Sequence, residues 1–230
     1  MCGRFTFTEI AKIVGRFGIV LQDGSRITPR FNISPSQEIP VVIEGKNGRE
    51  LRWMEWGFRP DWFKAQTNRP PPINARSESL LERPMFHDAV IRGRCLIPAD
   101  GFFEWKTIPG ERRKQPMYVR LADGELFGFA GLYTDRPGTG GAGLVGSCAI
   151  ITTGPNELMA AIHHRMPAIL ERADEALWLS HRERDAARLL SCLRPYPAAQ
   201  MEAFPVSHLV SYANNDQPEL ILPLEEPGKG

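Results

Sequence analysis

Hydrophobic residues fall into short runs that alternate with polar ones over much of the chain, and few runs are long enough for a long helix. Ile39 to Ile43 reads as a strand. Asn47-Gly48 marks a hairpin turn, and Leu51 to Trp56 supplies the return strand. Arg94 to Ala99 and Gly101 to Lys106 read as two strands around a tight turn. Further strands are expected at 116–121, 125–133 and 148–153, with Ala122-Asp123-Gly124 as one turn. Helical spacing is confined to short segments. Thr6-Phe7-Thr8-Glu9 reads as a capping box, Ile10, Ile13, Val14 and Phe17 follow on one face, and Gly18 ends the helix. Residues 73–79 introduce a short helix with Asn74 as an ordinary N-cap, and Pro155 to Ile162 is a short helix with Pro in its first turn. Apolar stripes predict helices near 173–180 and 183–193, and the tail from Phe204 to Leu224 is expected to add strands. Without a repeat or a clear boundary, residues 1–230 read as one domain of α+β type, rich in strands.

Composition narrows the class. The chain has 230 residues, is 42% hydrophobic, and carries 21 Gly and 20 Pro, which implies many turns and short elements. No run approaches the roughly 18 apolar residues of a membrane span, and the start lacks a signal-peptide pattern, so a cytoplasmic protein is expected. The four cysteines, Cys2, Cys95, Cys148 and Cys192, show no CxxC spacing, which argues against a structural zinc site; the last three sit among apolar residues. Net charge is +1, but residues 1–120 carry +7 and residues 121–230 carry −6. The basic half is either a phosphate-binding face or a spread of solvated charges.

Cys2 is the focus of the candidate chemistry. Residue 2 is small enough for Met1 to be removed, and an N-terminal cysteine then carries a thiol, reference pKa about 8.5, and an α-amine, about 8. The amine can act as base for its own thiol, as in N-terminal nucleophile hydrolases. Alternatively it can form a Schiff base with an aldehyde, and the thiol can close a five-membered thiazolidine. Arg4 stands two residues away. Glu104 lies between Phe103 and Trp105, either facing outward by alternation or belonging to a site. Trp62 and Phe63, beside Arg59 and Lys64, suit base stacking and phosphate contact, or else form a small hydrophobic cluster under the loop. Of His163 and His164, at most one is expected to face a site. The glycine-rich stretch 138–143 lacks the Lys-Ser/Thr of a phosphate loop.

Several stretches together resemble the SOS-response-associated peptidase, or abasic-site processing, family. They are Met1-Cys2-Gly3-Arg4-Phe5, Arg30-Phe31-Asn32 with Ser34-Pro35, Trp56-Gly57 with Trp62, Asn74-Ala75-Arg76, Gly101 to Lys106, His163-His164-Arg165-Met166-Pro167, and Pro205-Val206-Ser207. They run in order along nearly the whole chain, and Ile162 to Leu170 resembles the eukaryotic form most. Phe63 departs from members with a second tryptophan there. The resemblance implies a barrel-like core of mixed and antiparallel sheets with flanking short helices. It also implies an enzyme that crosslinks itself through Cys2 to the aldehyde of an abasic site in single-stranded DNA. Glu104 would move protons, Asn74 would position the amine or sugar oxygens, and His163 would handle the sugar hydroxyl. Arg4, Arg76 and Arg165 would hold phosphates. Trp62, Phe63 and the loop at Asn32 would support the splayed strand. The resemblance calls for no metal or organic cofactor, and a monomer is expected. The rival readings are an N-terminal nucleophile glutamine amidotransferase and a DNA reader that binds modified bases without chemistry.

Overall fold

The computed structural model describes residues 2–19, 27–63, 70–138 and 143–224. Five strands close on themselves. They are β3 (Glu38–Gly45), β4 (Gly48–Trp56), β6 (Arg94–Ala99), β9 (Phe127–Pro137) and β10 (Leu144–Thr153). The order is β10-β4-β3-β6-β9, and β9 pairs again with β10, so the ring has no free edge. The β4–β10 pairing is parallel and the others are antiparallel. Two short strands extend the ring along β10: β5 (Asn74–Arg76) on the edge where β4 ends, and β11 (Met166–Pro167) antiparallel to residues 152–153.

A second sheet lies beside the barrel, in the order β12 (Met201–Pro205), β8 (Gln115–Leu121), β7 (Gly101–Lys106), β1 (Phe5–Phe7) and β2 (Arg30–Ile33). The two sheets share one core. Phe5 of β1 meets Trp56 at 5.2 Å and Phe129 at 5.8 Å between ring centroids, and Phe102 of β7 meets Phe129 at 6.0 Å, all edge-to-face. Each such pair is worth about 0.5–1.5 kcal/mol beyond its buried area. The helices α1 (Ile13–Phe17), α2 (Pro84–Arg92), α3 (Glu157–Ala160), α4 (Arg172–Leu179) and α5 (Ala186–Ser191) are short and flank the sheets. Buried Arg94 joins two of them, donating to the carbonyls of Val90 and Ile91 in the last turn of α2 and of Trp178 in the last turn of α4. No helix among the described residues is long and apolar enough to cross a membrane.

The α+β, strand-rich, barrel-like expectation holds, while several local readings change. Thr6 caps no helix: it lies in β1, and its hydroxyl contacts Asp100 and Tyr118. A 3-10 turn at Ile10–Lys12 leads into α1, which stops at Gly18 in a left-handed conformation (φ +61°) as expected. The hairpin turn falls at Lys46-Asn47, between paired Gly45 and Gly48. Asn74 starts a strand and not a helix, because its backbone continues the β4 edge of β10. β6 and β7 do not pair with each other. A single residue, Asp100, links them, too short for a hairpin, and the chain crosses there from barrel to second sheet. α3 starts at Glu157, two residues after Pro155, and Asn156 caps it, accepting from Met159 N–H at 2.8 Å. The tail contributes β12 and then 3-10 turns.

Candidate functional site

Cys2 sits where the barrel and the second sheet meet. Phe5, three residues on, is fully buried in the shared core, and Phe103 N–H donates to Arg4 O at 3.0 Å, which lays the N-terminal strand along β7. The Asn74 amide donates to Cys2 O at 2.9 Å from the far side, from β5. Cys2 is fully buried, and its thiol reaches Arg4 O at 3.7 Å. Burial pushes the thiol well above its ordinary pKa, and the nearby Glu104 charge raises it further. Both effects favour the neutral thiol over the thiolate.

Glu104 is 3% exposed, which resolves the alternation reading in favour of an inward carboxylate. β7 supplies the reason. Phe102 and Glu104 are two apart on one strand and share a face, and that face meets the core. His163 arrives by way of β10: Arg76 pairs with Thr152 on one edge, and Arg165 reaches Thr152 from the other, donating to its carbonyl at 2.6 Å. Asn74 and the His163 segment are thus brought to the same end of β10. His163 Nδ1 lies 3.1 Å from the Arg165 backbone nitrogen and 3.2 Å from the Arg165 carbonyl oxygen, which holds the ring beside Arg165.

The two histidines lie in the irregular stretch between α3 and β11, and their rings stack at 4.3 Å between centroids. His164 is exposed, and the charge of His163 above all, with smaller effects from burial, Arg165 and Arg76, lowers its pKa.

The residues expected to hold DNA divide in two. Arg76 and Trp62 face solvent, Trp62 at 60% exposure, and Arg76 makes no ion pair among the described residues. Phe63 is half-buried, and Lys64 lies outside the described residues. Arg4, Asn32 and Arg165 are engaged within the protein. Arg4 donates to Asn32 Oδ1 at 3.0 Å and to Val210 O at 2.7 Å. The Asn32 side chain is fully buried, and its amide donates to Val210, Tyr212 and Asn215 carbonyls at 3.2, 3.1 and 2.7 Å. Asn32 therefore acts through the loop it anchors and not as a surface contact. Arg165 makes a two-pronged pair with Glu78, at 2.5 and 2.9 Å, and its side chain is 12% exposed.

Three carboxylates escaped the sequence reading. Asp100 receives donors from residues 6–9, Asp216 accepts Phe31 and Asn32 N–H at 2.5 and 3.0 Å, and Glu78 holds Arg165. Each partner lies more than eighty residues away in the chain, so no local spacing announces it. The one available signal was Asp100 itself, a carboxylate between two apolar strand patterns.

Among the described residues no group of three or more His, Cys, Asp or Glu side chains could hold a metal ion. The arrangement defines a strand-rich α+β protein with Cys2 enclosed where its two sheets meet, its carbonyl bonded by the Asn74 amide and its thiol within the field of the Glu104 carboxylate. The chain belongs to the family described as SOS response associated peptidase (SRAP), which matches residues 1–213. It is 43% identical over 224 residues to the abasic site processing protein YoqW of Bacillus subtilis, covering 96% of this chain and 99% of that one. It is 31% identical to the abasic site processing protein HMCES of Gallus gallus, over 89% of this chain and 69% of the relative. A solved structure of a protein from Bacteroides thetaiotaomicron superposes with a TM-score of 0.83 at 24% identity, covering 97% of this chain and all of that one, and shares the fold.

Proposed function

We propose that this protein processes abasic sites in single-stranded DNA by bonding covalently to them through Cys2. One observation carries the reading: Asn74 holds the Cys2 carbonyl, with Glu104 within electrostatic reach of the thiol, in a chain whose relatives are named abasic site processing proteins. While Met1 is attached, the Cys2 nitrogen is an amide and cannot attack, so its removal, by the protein itself or by an aminopeptidase, comes first. The free amine then adds to the aldehyde carbon of the ring-opened sugar, and water leaves to give a Schiff base. The thiol adds across the C=N bond, its sulfur bonding to carbon and its proton passing to nitrogen, and the thiazolidine closes. Burial favours this order. A thiol held protonated is a poor first nucleophile, and it brings the proton the imine nitrogen needs.

Glu104 carries protons in the dehydration and ring closure. Asn74 fixes the backbone that presents the amine. His163 serves the sugar hydroxyl. Arg76 takes a backbone phosphate, and Trp62 with Phe63 gives the bases a stacking surface. Arg4 and Asn32 shape the loop beside the strand, and Arg165 meets DNA in competition with Glu78. The activity is of lyase or hydrolase type, and removal of Met1, where the protein performs it itself, is its peptidase component.

The test is a denaturing gel of abasic single-stranded oligonucleotide with wild type and Cys2→Ala. A band resistant to denaturation is expected with wild type alone. Equal crosslinking by Cys2→Ala would exclude the thiazolidine, and binding without any covalent product in wild type would leave a reader of DNA.

A further inference from the structure

The strand that brings in Cys2 is held by very little backbone. β1 has three residues and pairs with β7 only at Phe5↔Phe102 and Thr6↔Gly101, and its pairing with β2 shifts register between Phe5 and Phe7. A slip of one residue would turn every side chain of such a strand to the opposite face. Buried Asp100, 6% exposed, stands immediately before β7. Its carboxylate collects the Thr6 hydroxyl and Thr8 N–H at short range, the Thr8 hydroxyl at 2.7 Å and the Glu9 N–H at 3.0 Å. The Thr6 hydroxyl also contacts Tyr118 on β8 at 2.8 Å.

We infer that Asp100 is a positioning residue for the Cys2 reaction: its carboxylate sets the register of β1 on β7 and so sets where Cys2 lies relative to Glu104. The inference rests on the reaction proposed above. Asp100 touches neither Cys2 nor the substrate. Its effect travels along two antiparallel strands. Thr6 stands opposite Gly101, and that register, carried on by the Phe103 N–H to Arg4 O bond, sets Gly3 opposite Glu104 with Cys2 next to it in the chain. Fastening Thr6 and Thr8 to Asp100 therefore fixes where the segment before β1, which carries Cys2, lies along β7. Four charge-assisted bonds from a buried carboxylate suit this task better than two ladder pairs, being roughly twice as strong as neutral ones.

Asp100→Asn keeps the size and loses the charge. Two readouts separate positioning from general stability. The first is thiol alkylation resolved by residue, with buried Cys95 and Cys148 in the barrel as internal controls. The second is the rate of covalent adduct formation beside noncovalent affinity for an oligonucleotide carrying a tetrahydrofuran, which has no aldehyde. Asp100→Asn is expected to label Cys2 about tenfold faster with Cys95 and Cys148 unchanged, as local opening should. Adduct formation should slow by about tenfold, a barrier change near 1.4 kcal/mol, while tetrahydrofuran affinity stays within about twofold. An adduct rate within about twofold of wild type, or equal acceleration of all three thiols, would overturn the inference. Should Asp100→Asn fail to fold, Thr8→Ala removes one donor, and the same pattern is expected in weaker form; no change in either readout would count against Asp100. A wild type that forms no adduct defeats the proposed reaction, whereas the labelling ratio still reports the register.

Discussion

The barrel and the sheet that carries Cys2 are built by different means. The barrel is a closed ring of β3, β4, β6, β9 and β10, and at its centre Trp56, Phe127 and Phe129 are at most 1% exposed. The second sheet has edges, its N-terminal strand is three residues long, and polar contacts fasten it: Asp100 to Thr6 and Thr8, Asn74 to Cys2, Arg4 to Val210. Apolar burial tolerates small shifts because it has no direction. Hydrogen bonds do not, so a reactive terminus that must keep one register is better held by them. The barrel supplies stability and the polar fastening supplies position.

Cutting into the barrel should have the largest effect. Trp56→Ala removes a fully buried ring, its contact with Phe5 and an indole bond to Ile73 O at 2.9 Å. A loss of about 3–5 kcal/mol is expected by denaturant unfolding, with adduct formation failing in proportion to the unfolded fraction. A loss under about 1 kcal/mol would show that the barrel does not carry the fold. Gly101→Ala strikes the joint between the regions. A Cβ there would stand 2.2 Å from the Tyr118 ring, so β7 and β8 must part, and the unfolding midpoint should drop clearly.

Asn74→Ala should break the comparison from the other side. Losing the bond to Cys2 O is expected to slow adduct formation by about 1–3 kcal/mol in barrier while the unfolding midpoint moves little. Equal losses in rate and stability would make Asn74 structural. Arg76→Ala, on the exposed face, should lower the salt slope of DNA binding by about one phosphate without altering the fold.

The smallest effect is expected at Glu78. Its hydrogen bond to Arg165 lowers its carboxyl pKa in the folded chain, so the charged form is favoured by folding. That contribution is complete above the unfolded value near about pH 4.3 and fades as pH falls through the lower folded value. Glu78 is 55% exposed, and the term should stay below about 1 kcal/mol. Glu78→Gln should therefore destabilise slightly at neutral pH and lose that difference in acid. The same change removes the negative charge paired with Arg165 and should tighten DNA binding.

This contrast explains what the sequence could disclose. Alternation and turn residues placed β3 and β4 around residues 46–48, and the runs at 116–121 and 148–153 within β8 and β10, because burial repeats with a local period. They could not disclose pairing, so β6 and β7 read as a hairpin although they belong to different sheets. Cys2, Asn74, Glu104 and His163 could be singled out as candidates, but not the geometry that relates them. Thr6 shows the limit. Its capping-box pattern is sound locally, and a tertiary contact with Asp100, ninety-four residues away, overrides it.

The central claim is that Cys2, freed of Met1, bonds covalently to an abasic aldehyde, and intact mass after mixing with an abasic single-stranded oligonucleotide tests it most directly. The expected mass is that of the chain without Met1 plus the oligonucleotide, less one water, and it should be absent with Cys2→Ala. A wild-type mass with no adduct, or the same adduct in Cys2→Ala, would contradict the account.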